Sequence, residues 1–215
     1  RAAIGMALGT LFSVWVCARL FGMDVALHLL GPLGASAVLL FAVSSGALAQ
    51  PWSIIGSYLC AAVVGLLVAR VLGRTLGSAC LAAGMTVILM CWLRCLHPPA
   101  GGLAMTLVLA DPASIALGWH ELGPVMLGAS ALLACALGYN NATRTRYPKG
   151  PVESPAVIIG RAAPALDASI TAADLKQAMA EMEQFYDVQP AELEQLIHAA
   201  EGHARRRSIG EVLAG

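Results

Sequence analysis

Charge is what this 215-residue chain has least of: 12% of its residues are Asp, Glu, Lys or Arg, while 58% are hydrophobic. A soluble domain carries about twice that charged share, so the composition excludes an ordinary water-soluble globule. Thirteen basic and thirteen acidic side chains cancel, which argues against a basic nucleic-acid binder and against an acidic disordered chain. Lysine is missing altogether from residues 1–143, which carry five Arg and only three acids, Asp24, Asp111 and Glu121. Residues 144–215 hold eight basic and ten acidic side chains, so two physical classes of chain join near residue 145. Also absent are a phosphate-binding loop, a zinc motif, a glycine-rich dinucleotide fingerprint and any nucleophile–base–orienter spacing. An enzyme is therefore not expected, nor is a cofactor.

What is present is long apolar sequence, with a mean hydropathy of +0.73. Spanning a hydrocarbon core of about 30 Å takes about 20 apolar residues as helix. Four segments meet that length: about Ala2 to Phe21, Ile54 to Leu72, Leu76 to Leu96 and Leu122 to Tyr139. Cys17, Cys60, Cys80, Cys91, Cys95 and Cys135 all lie within apolar runs and read as packing residues rather than disulfides. Cys91, Cys95 and His97 fall close together, but no fourth ligand completes a metal site.

Between the first and second spans, and again between the third and fourth, a shorter apolar stretch opens with Pro and Gly. Laying Pro32 over Pro99 also places Gly34 over Gly101, Ala37 over Ala104, Leu40 over Leu107 and Gly56 over Gly123. This is a weak internal duplication: each half is a long helix, a Pro-Gly break with a short helix, and another long helix. Interrupted segments at matching places in two halves point to a substrate site. The Gly and Ala content of close-packed membrane helices is the competing explanation. The expected fold is an all-α integral membrane protein with four long transmembrane helices and two short half-helices that dip in and return. Six membrane-crossing helices are the alternative.

The first arrangement puts Arg1, Arg70, Arg74, Arg144, Arg146 and Lys149 on one face, with Arg19 and Arg94 opposite, so both termini are expected in the cytoplasm. Six crossings keep the termini there but move Arg70 and Arg74 outside. The transmembrane body is expected over residues 1–147, a Pro-containing linker over 148–170, and a cytoplasmic helical hairpin over 171–215. In that hairpin Thr171 caps a helix carrying Leu175, Met179, Met182 and Phe185, and Pro190 starts a second with Leu193, Leu196 and Ile197.

The densest run of unusual residues is Leu93-Arg94-Cys95-Leu96-His97-Pro98-Pro99-Ala100-Gly101-Gly102. Two prolines stop the preceding helix and suit the first turn of the next. Gly31-Pro32-Leu33-Gly34-Ala35-Ser36 predicts the same in the first half. A helix start offers free amides and about half a positive charge. Two such starts facing one dry cavity would hold a small anion, with Arg94 and His97 strengthening the field and Ser36, Ser44, Ser45 and Thr106 supplying hydroxyl donors. Plainer roles are available: Arg94 as a snorkelling side chain, His97 as a helix cap, Trp15, Trp52, Trp92 and Trp119 as interfacial anchors. Asn140-Asn141 would end the last span, and Asp111, His120 and Glu121 would lie in a solvated loop.

The same residues carry a resemblance. Leu96-His97-Pro98-Pro99-Ala100-Gly101 resembles the signature of the HPP family of integral membrane proteins. Gly34 to Leu40, Ala49-Gln50-Pro51-Trp52, and Tyr139-Asn140-Asn141 followed by Arg146-Tyr147-Pro148 match further family blocks in order. The resemblance implies a bundle usually described as four transmembrane helices. It marks His97, Pro98, Pro99 and Gly101, with Gly34, Ser36, Gln50 and Asn141, to which the local reading adds Arg94, Ala35, Gly102 and Thr106. Plant and cyanobacterial relatives are implicated in nitrite transport, and the tail looks like the connector that leads into CBS domains in bacterial members.

The expectation is thus a transporter or channel for a small monovalent anion such as nitrite, in a bacterial inner membrane, regulated through its tail. Its partners would be the lipid bilayer, the anion and further copies of itself, with no nucleic acid. A non-transporting sensor or assembly platform is the alternative.

Overall fold

A computed structural model of the chain describes residues 1–110 and 112–148, with Ile197. The chain divides into two units, residues 1–150 and 151–215. The expected linker and hairpin, and the predicted roles of Asp111 and Lys149, lie outside the described residues.

The first unit is helical: α1 (Ala2–Phe21), α2 (Met23–His28), α3 (Leu30–Ala42), α4 (Pro51–Leu72), α5 (Leu76–Trp92), α6 (Pro99–Val108), α7 (Pro112–Leu117) and α8 (Leu122–Ala142), with 3-10 turns at Ala47–Ala49 and Gly118–Glu121. Among the described residues, three helical stretches are long and apolar enough to cross a membrane: Ala2–Phe21, Pro51–Leu72 and Ile115–Ala142. The third predicted span, Leu76 to Leu96, stops early, at 17 residues, because its end is consumed in a turn ahead of the two prolines.

Small residues bring α1 against its neighbours. Gly5, Gly9, Ser13 and Cys17 recur every fourth position and form its buried face. A Cβ at Gly5 would stand 2.6 Å from Phe41 of α3 and 2.7 Å from Tyr139 of α8, and one at Gly9 would stand 2.7 Å from Phe41. The Ser13 hydroxyl donates to the Gly128 carbonyl of α8 at 2.7 Å. This small-xxx-small stripe, a common site of helix–helix contact in membranes, is therefore occupied within the chain.

These contacts also give directions. The start of α1 meets the end of α8, where Arg1 bonds Thr145 and the Tyr139 hydroxyl donates to the Arg1 carbonyl. The end of α1 meets the start of α8, where Phe21 borders Gly123. Leu33 of α3 lies beside Gly128 and Phe41 beside Gly5, so α3 runs back toward the end that holds Arg1. We call this the near end. Helix α4 leaves it, because Ala49 accepts from Tyr147 there, and reaches the far end at Arg74. Helix α5 returns, with Trp52 of α4 donating to the Leu93 carbonyl at 3.1 Å. Helix α6 leaves once more: Arg74 donates to the carbonyls of Leu107 and Val108 at 3.0 and 3.1 Å.

Both short Pro-containing helices therefore traverse the bundle instead of dipping in and returning, and the six-crossing arrangement describes this fold. The first short segment gains length by continuing from α2. The second, whose ten residues rise about 15 Å, is completed by the non-helical run before it and by the Arg74 side chain that reaches its last turn. Arg70 and Arg74 accordingly lie at the far end with Arg19, and Arg94 joins Arg1, Arg144 and Arg146 at the near end.

The internal duplication is visible in the packing. The buried residues of α3 are Leu33, Ser36, Ala37, Leu40 and Phe41, and those of α6 are Ala100, Leu103, Ala104, Leu107 and Val108. One shift of 67 positions maps the first set onto the second. In the first half α1 packs on α3, and in the second α5 packs on α6; across the halves α1 packs on α8 while α5 packs on α4, and α3 packs on α8 while α6 packs on α4. Exchanging the halves carries each of these contacts onto another. Each half crosses three times, so the two are inverted relative to one another. Gly73, at φ 79°, makes the tight turn between them, and Thr75 and Ser78 cap α5 reciprocally.

Candidate functional site

The loop between α3 and α4 at the near end gathers side chains from the whole first unit. Gln50 donates to the carbonyls of Ser44 and Gly46 at 3.3 and 2.9 Å. Ser53 donates to Ala47 at 2.9 Å and Tyr147 to Ala49 at 2.6 Å. His97 Nδ1 lies 2.7 Å from the Leu48 carbonyl. The four sequence blocks that resemble family motifs thus converge on one loop, through Ser36, Gln50, His97 and the Asn141–Tyr147 turn.

His97 is fully buried, as are Ser36 and, on α4, Tyr58. Its Nε2 lies 2.8 Å from Ser36 Oγ, which lies 2.7 Å from the Tyr58 hydroxyl. The direction of the line follows from donor chemistry. The Leu48 carbonyl only accepts, so Nδ1 carries a hydrogen; the neutral ring then accepts at Nε2 from Ser36, which accepts from Tyr58. Three helices, α3, α4 and the start of α6, are joined by one polar line in an apolar core. The Tyr58 and His97 rings also approach, with centroids 6.1 Å apart.

The segment that delivers His97 is set by its neighbours. Leu93 ends α5, and Arg94 follows at φ 54°, the left-handed region usually given to glycine. The Arg94 amide donates to Cys91 at 3.2 Å and the Cys95 amide to Met90 at 2.9 Å. These two bonds make a Schellman ending, with Cys95 and Met90 buried beneath it. Arg144 ends α8 in the same way, at φ 63°, with bonds from Arg144 to Asn141 at 3.2 Å and from Thr145 to Asn140 at 2.8 Å.

The predicted site residues separate on this framework. Ser36 and His97 meet. Pro98 and Pro99 start α6 as expected, but its first amides are already bonded: Ala100 donates to the His97 carbonyl and Gly101 to Pro98, both at 3.0 Å. The first turn of α3, with Pro32, lies toward the opposite end of the bundle from the start of α6. Corresponding helices of the two halves run in opposite directions, and the second turn of α3 meets the start of α6 through Ser36 and His97. Arg94 is exposed and serves as a helix terminator. Gly34, Gly101 and Gly102 border open space, and Ala35 is exposed. Thr106 bonds within α6 to Gly102, and its carbonyl lies 2.9 Å from His28 Nε2. Asn141 binds both the carbonyl and the amide of Tyr147, and so positions the chain after α8. Glu121 is buried rather than solvated, in the turn that opens α8.

Tyr58 and the Leu48 carbonyl were missing from the sequence-derived set. Tyr58 had a signal, a lone phenol in an apolar span; a backbone carbonyl has none.

Inverted halves, three helical stretches long and apolar enough to cross a membrane with shorter apolar helices packed among them, and a buried polar line define a multi-pass α-helical membrane protein, whose natural solvent is a lipid bilayer. The HPP transmembrane region matches residues 1–148, and the chain belongs to that family. A transmembrane protein of Dictyostelium discoideum is 35% identical over 125 residues, 56% of this chain and 44% of that protein. A second from the same organism is 31% identical over 127 residues, 57% of this chain and 41% of its own length. The matched region spans less than half of either relative. No solved structure matches the chain.

Proposed function

We propose that this protein is a transporter or channel for a small monovalent anion, with nitrite as the first substrate to test. The observation that carries the reading is the Tyr58–Ser36–His97 line, a set of neutral donors buried where the short helices of two inverted halves meet, the place at which such folds bind substrate. Nitrite comes from the family resemblance. The donors in this reading are hydroxyls and an imidazole, in place of the helix-start amides.

The line also offers a way to couple anion to proton. Protonation of His97 at Nε2 makes the ring a donor to Ser36. Ser36 then donates to Tyr58, and the Tyr58 hydrogen is released for an anion. Charge and donor arrive together, so uptake of one anion would be accompanied by one proton.

The near end carries Arg1, Arg94, Arg144 and Arg146 without an acid among the described residues, which favours the cytoplasm for it and for both termini. A bacterial inner membrane, self-association and regulation through residues 171–215 belong to the same proposal.

The test is nitrite flux into proteoliposomes. Ser36→Ala, Tyr58→Phe and His97→Gln should each lower flux at least tenfold in protein that still elutes as a folded species. Unchanged flux in all three, or no flux of any small anion in the parent chain, would overturn the assignment. The second outcome, with oligomerisation that depends on residues 171–215, would favour the sensor alternative.

A further inference from the structure

At the far end, where α4 finishes beside the Gly118–Glu121 turn, lies a cavity of about 240 Å³ lined by Leu66, Ala69, Arg70, Arg74, Ile115 and Trp119, with Gly118 at its edge. Its chemistry is divided. Leu66, Ala69 and Ile115 make an apolar wall; Arg70, Arg74 and the Trp119 indole make a cationic, hydrogen-bonding rim. Arg74 is fixed, because its Nη1 is bonded to two carbonyls that end α6. Arg70 is exposed on the last turn of α4 and has no ion-pair or hydrogen-bond partner among the described residues. Arg74 thus has a structural task in completing α6, whereas Arg70 has none among the described residues.

We propose that this cavity binds the phosphate headgroup of an anionic membrane phospholipid, with Arg70 and Arg74 on the phosphate and the first acyl carbons against Leu66 and Ile115. Three features favour an amphiphile over a free ion. The cavity joins apolar wall to charged rim. Trp119 and Ile115 are 46% and 43% exposed, the amphipathic edge typical of a protein surface at headgroup depth. The guanidinium pair lies at the end of a membrane-crossing helix, where the phosphate layer of the bilayer falls. Arginine suits the task because its planar fork bonds two phosphate oxygens at once. The site lies at the opposite end of the bundle from the His97 loop and is independent of the transport proposal.

The experiment is native mass spectrometry of the full chain, released from micelles doped with equal phosphatidylglycerol and phosphatidylcholine. The parent chain should retain phosphatidylglycerol about fivefold over phosphatidylcholine, the preference that roughly one favourable cationic contact supplies. Arg70→Gln should abolish the preference and Arg70→Lys should keep part of it, both without change in thermal unfolding in plain detergent, because Arg70 is exposed and makes no bond among the described residues. Equal retention of the two lipids by the parent chain, or an undiminished preference in Arg70→Gln, would overturn the proposal. Retention of inorganic phosphate at millimolar concentration, without preference between the lipids, would overturn it in favour of a free-oxyanion site.

Discussion

Ser36 Oγ and His97 Nε2, separated by 61 positions in sequence, stand 2.8 Å apart with no solvent access to either side chain. That bond ties α3 to the start of α6, and so one half of the molecule to the other. The opposite ring nitrogen, on Leu48, ties both to the near-end loop. His97→Ala strands the Leu48 carbonyl and the Ser36 hydroxyl and leaves a void, a loss of about 2–4 kcal/mol. His97→Asn keeps a donor near the Nδ1 position and should recover a part of the loss, without recovering flux. Thermal unfolding in detergent, read beside proteoliposome flux, separates the two effects.

Arg74 and Arg146 lie at opposite ends of the bundle. In a background from which the exposed Cys80 and Cys91 have been removed, Arg74→Cys and Arg146→Cys should react with an impermeant maleimide from opposite sides of sealed vesicles. Labelling from one side would restore the re-entrant arrangement and remove the inversion.

Gly9 has no room for a side chain, with Phe41 at 2.7 Å from the position a Cβ would take. Gly9→Val should cost about 1–3 kcal/mol through overpacking. Phe41→Leu, which withdraws the ring, should return part of that loss in the double variant. Additive effects in a cycle of thermal-unfolding measurements would argue that Gly9 meets something other than Phe41.

Arg94 and Arg144 hold left-handed backbone that glycine adopts at lower cost. Arg94→Gly should stabilise the protein by about 0.5–1 kcal/mol and leave flux unchanged, since the guanidinium is exposed at the near end. A substantial loss of flux in this variant would return Arg94 to the transport site.

Tyr147 lies outside the helices, and burial pushes its hydroxyl above the ordinary phenol range. It therefore remains a neutral donor to Ala49 at any pH the bilayer tolerates. Tyr147→Phe should cost about 1 kcal/mol and raise amide exchange in the loop between α3 and α4, as read by hydrogen–deuterium exchange.

Helix positions were largely legible because hydropathy and proline act locally: α1, α4 and α8 fall where long apolar runs lie. The end of α5 moved back because a Schellman turn needs residues of its own, and a left-handed arginine has no sequence signature. Whether the short segments cross or return is a matter of tertiary contact. Arg74 reaching Leu107 and Val108 decides it, and no periodicity encodes that reach. Ser36 and His97 were found because the duplication and the double proline drew attention to them. Tyr58 is marked in sequence only as a lone phenol in an apolar helix, and its place beside Ser36 is set by tertiary packing. The relative direction of the halves is a further property that a repeat visible in sequence leaves undetermined.

Arg74 sits in the turn that joins the two halves, yet its side chain is fastened to the last residues of α6. Any piston-like displacement of that short helix must drag the connecting turn with it, or else break the two bonds to the carbonyls that end α6. Motion beginning near His97 would thus be delivered mechanically to the opposite membrane face, making the connector between repeats a working hinge pin.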